Sequence, residues 1–348
     1  MVDITVRGAG IFGLTIAWEC LRLGATLRVI DPAGIGAGAS GGLLGALAPH
    51  VPENWNAKKA FQFQSLIMAR DLWPEIEAAS ALPTGYRVTG RVQPLASAAA
   101  VDMAKFRGVA AQELWQGHAT WQVTAALDWP AFAPPSPSGH WVLDTLTAAI
   151  NPRAACTALA AAIRARGGEI LREGENRGMI VHATGHAGLA QLNRVFDKPI
   201  GSAIKGQAAL LRAEFPAGAP QVFAGGVHII PHANGTVAIG STTERAFDQP
   251  QATDHLIDAL IAQARDMLPT LSTAPILEKW AGLRPRVTTR APLLGRFPGH
   301  EHEFIANGGF KIGIGMAPMV ARVMARLITT GRSDIPAEFD TQNLLGAA

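Results

Sequence analysis

The chain has 348 residues, 48% of them hydrophobic and 16% charged, enough apolar material for a large core and more than one domain. Its net charge is +3, but the basic residues form no run or stripe, so nucleic acid is not expected as a partner. Only Cys20 and Cys156 are present, both in segments that read as buried helix, which argues against a disulfide framework or a thiolate metal site.

Residues 2–31 follow the order strand, glycine turn, helix, strand, a βαβ unit. This opening lacks the basic and apolar regions of a signal peptide, and no apolar run is long enough to span a bilayer, so a cytoplasmic protein without membrane association is expected. Gly8-Ala9-Gly10-Ile11-Phe12-Gly13 is a GxGxxG turn, and Asp31 ends the next strand at the spacing of a ribose contact. Gly8 permits the tight turn, Gly10 lets backbone approach a pyrophosphate, and Gly13 lets helix and strand pack. Arg7 stands at the strand end, where an aliphatic residue is usual, and is expected to point into solvent. The motif by itself does not separate FAD from NAD.

A stretch of small residues fills 34–49, and a helix is expected over about 58–79, interrupted near Trp73-Pro74. Extended pieces follow at 86–95 and 121–123, then a Pro-rich loop at 134–137. Residues 151–166 read as an Ala-rich helix leading through Gly167-Gly168 into a strand at 169–171. Extended runs at 222–231 and 236–241 flank Asn234-Gly235, a hairpin signal. A helical pattern returns over 252–267, an extended one at 303–306, and a last helix over about 317–329. This alternation of α/β and β-rich regions predicts two interleaved domains.

The stretch from Gly34 to Pro49, with Gly38-Ala39-Ser40-Gly41-Gly42-Leu43-Leu44-Gly45 at its centre, resembles the flavin-contacting loop of the D-amino acid oxidase and glycine oxidase family of FAD enzymes. The resemblance runs from Val2 to about Ile328. It includes Ile204-Lys205-Gly206-Gln207, Val181-His182-Ala183-Thr184-Gly185, and the hairpin from Val227 to Gly240. Most specific is Trp280-Ala281-Gly282-Leu283-Arg284-Pro285 followed by Pro292-Leu293-Leu294-Gly295-Arg296, which resembles the glycine oxidase branch. The implied fold is α/β, a Rossmann-type FAD-binding domain (1–83, 140–203 and 276–348) interleaved with an antiparallel β-sheet substrate domain (84–139 and 204–275).

The resemblance implies FAD contacts along five segments. These are the first turn (Gly8, Gly10, Ile11, Phe12, Gly13), the ribose end (Asp31, Pro32) and the small-residue loop (Ala39, Ser40, Gly41, Leu43, Leu44, Gly45). A late turn (Thr184, Gly185) and a second flavin loop (Gly309, Phe310, Lys311, Ile312, Gly313, Ile314) complete the set, with Arg284 bordering the flavin. Non-covalent attachment is expected, since some relatives link FAD through a C-terminal cysteine and the last cysteine here is Cys156. The region 171–179 is shorter than the family's usual strand pair and leaves the adenine contact unassigned.

The same resemblance makes Arg284 the holder of a substrate carboxylate, and a guanidinium suits bidentate carboxylate recognition. Lys311 stands where the glycine oxidase branch carries a basic residue, and His228 stands where glycine oxidases carry a tyrosine. His50, just after the flavin loop, is a candidate for facing the site, with a hydrogen-bonded structural position as its alternative. The implied reaction oxidises the CH–NH bond of a small amino acid or amine by hydride transfer to flavin N5. The imine then hydrolyses, and O2 or another acceptor reoxidises the flavin. The histidines show no metal spacing, and no metal is expected. Two rivals remain open. Gly45-Ala46-Leu47-Ala48-Pro49 is also similar to the flavin half of a bifunctional enzyme that oxidises an aminomethyl group on tRNA, and a non-catalytic FAD-binding protein is the other.

Overall fold

The computed structural model describes residues 3–216 and 218–346. The βαβ unit forms as its spacing dictates, with β1 (Asp3–Arg7), α1 (Ile11–Arg22) and β2 (Thr26–Ile30), followed by a two-residue β3 (Ala46–Leu47). Next come α2 (Ala57–Ser80), β4 (Arg91–Pro94), α3 (Ala98–Leu114), β5 (Trp121–Thr124), β6 (Trp141–Asp144) and β7 (Ala148–Ala149). The middle of the chain holds α4 (Pro152–Ala165), β8 (Glu169–Leu171), β9 (Met179–His182), α5 (Gly185–Val195) and the long β10 (Gly201–Arg212). It continues with β11 (Gln221–Ala224), β12 (Val227–Pro231), β13 (Thr236–Gly240), α6 (His255–Met267) and β14 (Ile276–Val287). β15 (Leu293–Arg296), β16 (Glu303–Asn307), α7 (Gly313–Thr330) and α8 (Thr341–Leu345) complete it.

Hydrogen-bond register sorts the strands into two main sheets. The smaller has the order β15-β16-β9-β1-β2-β8, parallel except for the β15–β16 pair. The larger has the order β14-β10-β13-β12-β11-β4-β6-β5, and β3 pairs with β7 in a small ribbon. Two details of strand pairing add to the expected architecture. The larger sheet is not wholly antiparallel, because β4 pairs parallel with β11. In addition, β6, β14 and the start of β10 fall inside ranges assigned above to the nucleotide-binding domain, yet they pair in the larger sheet. Alternation along a strand shows that it is half-buried but not which sheet completes its ladder.

Local differences have similar causes. α2 runs unbroken through Pro74, with Phe63, Leu66, Ala69, Trp73 and Ile76 buried along it, so packing overrides the lost hydrogen bond. α3 has no counterpart among the expected elements: it buries only Val101, Ala104 and Ala111 while Phe106 and Val109 are exposed, so its apolar residues mark no single stripe. The run 222–231 is two strands, because Gly225 and Gly226 both take positive φ and turn the chain between them. The last helix begins at Gly313, earlier than expected, with Pro318 inside it. Among the described residues, no helix is long and apolar enough to cross a membrane.

Face parity in the larger sheet positions the site. Ala209, Leu211, Ile229, Val237 and Ile239 pack on α6 through Ile257 and Ile261. The alternate residues Ala208, Leu210, Ile230 and Ala238 pack with Leu43, Leu44 and Trp280 on the opposite face. By the period of two, His228 and Gly240 also face the small-residue loop. The far end of this sheet is anchored by a buried ion pair, Arg91 Nε to Asp144 Oδ2 at 2.9 Å, with Asp144 Oδ1 accepting from the Thr147 amide. Asp144→Ala strands the buried Arg91 charge and is expected to cost about 3–5 kcal/mol in denaturant unfolding. A loss below about 1 kcal/mol, the range of an exposed pair, would show that Arg91 finds water instead.

Candidate active site

The first turn is closed by steric necessity. Gly8 has φ +112°, its N–H donates to the Ile30 carbonyl at 2.9 Å, and a Cβ there would lie 2.3 Å from the Ala183 carbonyl oxygen. A Cβ on Gly13 would lie 2.0 Å from the Gly8 oxygen. The turn, α1 and the β9–α5 connection therefore meet backbone to backbone. Asp31 accepts from the Ala9 amide at 2.8 Å and the Ala33 amide at 3.0 Å, which fixes it beside the turn. Ser40 Oγ accepts from the Ile11 amide at 2.9 Å, leaving its own proton to donate. Apart from Ser40 at the Ile11 amide, α1 has no cap from its own N-cap residue Gly10 and no acid in its first turn, so further amides of its first turn remain open to an anion.

The second loop closes on the first through Phe12. A Cβ on Gly309 would lie 2.8 Å from Gly313 Cα and 3.1 Å from Phe12 Cζ. The Phe310 amide donates to the Pro285 carbonyl at 3.1 Å. Asn307 accepts from the Gly308 amide and donates to the Gly185 carbonyl at 2.8 Å, tying this loop to the late turn at Thr184 and Gly185. α7 also starts without a side-chain cap or an acid in its first turn, preceded by Ile312 and opening with Gly313 and Ile314. A Cβ on Gly45 would fall 1.9 Å from the Ile150 oxygen, and Ala39–Gly41 forms a short 3-10 turn. Two helix N-termini without acids in their first turns and glycine-lined backbone thus meet in one region. That donor set fits a dinucleotide, with the diphosphate at α1 and the flavin's pyrimidine edge at α7.

Arg284 reaches from β14 across β10. A Cβ on Gly206 would lie 1.8 Å from its Nη1 and 2.1 Å from its Cζ, so only glycine leaves room for the guanidinium. Nη1 donates to the Thr242 carbonyl at 3.1 Å. Burial lowers the Arg284 pKa to about 10, with Glu244 acting against that shift, so the group stays charged at neutral pH. Glu244 is committed elsewhere: its oxygens lie 3.3 Å from Lys205 Nζ and 3.1 Å from Gln207 Nε2. Among the described residues, no carboxylate forms a salt bridge with Arg284.

His228 stacks on Phe223 with ring centroids 4.4 Å apart, and its Nδ1 is buried without a partner. Burial, then Arg91 and Lys311, push its pKa down to about 3, so the imidazole is neutral. Lys311 is lowered as well, by burial and then by the Arg284 charge, and it is among the charges that lower His228. His50 is not brought to them. Its amide donates to Gln62 Oε1 at 2.9 Å, its Nδ1 meets the same oxygen, and burial lowers its pKa, which matches the structural alternative.

Arg7 corrects another expectation. Its Nε donates to Asn176 Oδ1 at 2.7 Å and its Nη2 to the Gly174 carbonyl at 3.0 Å, so it grips a loop instead of extending freely into solvent. Pro32 offers its carbonyl to Arg172 at 2.8 Å. Residues that sequence reasoning passed over are Gly206, Thr242, Phe223 and Arg172. Gly206 stood inside a recognised motif, but only strand register reveals it as the floor under Arg284. Among the described residues, no three His, Cys, Asp or Glu side chains are grouped to hold a metal.

Comparison with known proteins bears on the family and the fold. A sequence model of the family described as DAO, FAD dependent oxidoreductase, matches residues 3–327. The bifunctional protein ThiO/ThiG of Nostoc sp. is 27% identical over 95% of this chain and 53% of its own length, so the chain spans about half of that relative. Glycine oxidase of Geobacillus kaustophilus is 22% identical over 94% of this chain and 92% of its own. The crystal structure of glycine oxidase from that organism superposes with a TM-score of 0.83 at 19% identity, covering 98% of both chains. L-proline dehydrogenase from P. horikoshii gives 0.81 at 21% identity, covering 99% of this chain and 97% of that one.

Gly206→Ala is expected to keep its flavin but to displace the Arg284 guanidinium, weakening carboxylate ligands by about tenfold or more. Spectral titration of the bound flavin with acetate measures this, and unchanged affinity would mean that the guanidinium bends aside at no cost. His228 and His232, lowered to about 3 and about 4, are neutral when folded but bind protons when unfolded. The stability they contribute is complete above the unfolded value near 6.5 and is lost as pH falls toward 4 and 3. Denaturant midpoints should therefore drop between pH 7 and 4.5, with a shallower slope in His228→Phe; parallel slopes would remove His228 from that dependence.

Proposed function

The chain belongs to the DAO family of FAD-dependent oxidoreductases, and on that premise we propose that it oxidises the CH–NH bond of a small α-amino or N-alkylamino acid. The observation that carries this reading is Arg284, a half-buried guanidinium that stays charged, bonds only a backbone carbonyl and has no carboxylate partner among the described residues. A partly desolvated guanidinium without an acidic partner suits an incoming anion. The names of the relatives, glycine oxidase and ThiO/ThiG, support an amino acid as that anion's source. No observation favours tRNA, and the basic residues build no docking stripe.

Each group in the pocket then has a defined task. Arg284 holds the carboxylate, using the guanidinium nitrogens that the Thr242 carbonyl leaves free, while Gly206 keeps the space beneath it open. Neutral His228 can accept a hydrogen bond from the substrate amine at its unprotonated nitrogen but, with its pKa held near 3, does not take up the ammonium proton, which leaves to solvent before oxidation. Leu43, Leu44 and Trp280 pack against the sheet face and exclude water. FAD, when bound, supplies the hydride acceptor. The N-terminal pole of α7 and the Lys311 ammonium favour negative charge at the flavin's pyrimidine edge.

Anaerobic addition of glycine, sarcosine or other small amino acids is expected to bleach the visible flavin band, whereas amines lacking a carboxylate leave it unchanged. Arg284→Ala should retain FAD and lose about 30-fold to several thousand-fold in kcat/KM, the cost of truncating one partner of a buried charge pair. Arg284→Lys should recover part of this, since an ammonium keeps the charge without the guanidinium fork. Equal bleaching by amines and amino acids would rule the assignment out.

A further inference from the structure

Motif and resemblance supply a ribose contact at Asp31, but the adenine end of the cofactor site is the part for which neither supplied one. In an open α/β sheet a dinucleotide lies outside the carboxyl ends of the strands, and in this sheet β2 ends at Asp31 with β8 beside it. The Asp31 amide donates to the Leu171 carbonyl at 3.1 Å, so the segment leaving β8 starts next to the ribose-binding acid. That segment, 172–178, runs down the sheet face on which Thr5, Arg7, Arg28 and Ile30 stand in register.

Its attachments are specific. The Arg177 amide donates to Thr5 Oγ1 at 2.7 Å, and Thr5 Oγ1 donates to the Arg177 carbonyl at 2.9 Å. Arg7 holds the Asn176 side chain and the Gly174 carbonyl, and a Cβ on Gly174 would lie 3.3 Å from Ile30 Cδ1. At the upper end, the Arg172 Nη1 donates to the Pro32 carbonyl at 2.8 Å. The same guanidinium lies over Gly34, where a Cβ would meet its Nη2 at 3.1 Å and its Cζ at 3.3 Å. Gly34 has φ +98° and accommodates this approach only as glycine. Arg172 is otherwise exposed and has no acidic partner among the salt bridges of the described residues.

Resting on the assignment of FAD to this site, we propose that Arg172 contacts the adenylate half of the cofactor and that Arg7 is the positioning residue that holds its loop in place. A guanidinium suits the task, since its flat face stacks on an aromatic ring while its edge keeps the bond to Pro32. Arg7 then has a reason to occupy a strand end where an aliphatic residue is usual: a short loop without strands of its own needs an external clamp.

The test uses purified holoprotein. On dilution, released FAD is read by its fluorescence and gives the dissociation constant, while the visible spectrum of the retained flavin reports the isoalloxazine end. Arg172→Ala is expected to raise the dissociation constant about tenfold, with Arg172→Lys intermediate and Arg7→Leu in the same direction. The spectrum of the retained flavin and the melting temperature of Arg172→Ala measured with saturating FAD stay at wild-type values. A dissociation constant within about twofold of wild type, or a loss accompanied by an altered flavin spectrum, would overturn the assignment. Wild-type protein that carries no FAD would overturn the underlying cofactor reading instead, so the two failures are distinct.

Discussion

Everything in this molecule that concerns the cofactor depends on one close approach, the contact of backbone with backbone around Gly8. The positions where a Cβ would strike Ala183 and Gly8 oxygens are the ones that join the first turn, the start of α1 and the β9–α5 connection. Any side chain there would push α1 off β1 and turn its amide pole away from the space between the sheets. The buried residues of α1, which include Leu14, Ile16, Ala17 and Trp18, hold the helix against that displacement. Helix packing and anion binding are therefore the same constraint expressed on two faces of one element.

A second balance operates in the larger sheet. Arg91 and Lys205 are both buried cations, and each is met by acids: Asp144 for the first, Glu244 and Asp254 for the second. Arg284 differs in receiving only a backbone carbonyl and a distant field from Glu244. A direct ion pair would occupy the guanidinium, whereas the field of Glu244 offsets part of the lowering that burial causes without engaging it. Placing Glu244 across the strand, and committing it to Lys205, leaves the guanidinium charged and open to an incoming anion. His228, made neutral by burial and by surrounding cations, adds a polar contact without adding repulsion.

The candidate site was unevenly legible in the sequence. The glycines of the first turn, Asp31 and the small-residue loop could be read because their function is local: each acts within a few residues of the motif that marks it. Arg284 could be named from its motif, but its lack of a partner could not, since Thr242 and Glu244 lie 42 and 40 positions away and meet it only through strand pairing. His50 illustrates the converse. Its place after the flavin loop made it a candidate, yet Gln62 on α2 takes both its amide and its ring nitrogen.

The amino-acid sequence by itself determined the βαβ unit, the hairpin at Asn234-Gly235, and the helices whose apolar stripe or cap is strong, such as α4 with Asn151 and α6 with Asp254. These rest on periodicity, turn chemistry and capping, which act over a few residues. Only the tertiary structure decided that β6 and β14 join the larger sheet, that β4 runs parallel to β11, and that α2 passes through Pro74 unbroken. It also decided that Gly206 makes room for Arg284 and that Arg7 clamps residues 174 and 176. Each of these is a choice among partners distant along the chain. Such choices are made by register and burial when the sheets close, and no local pattern encodes them.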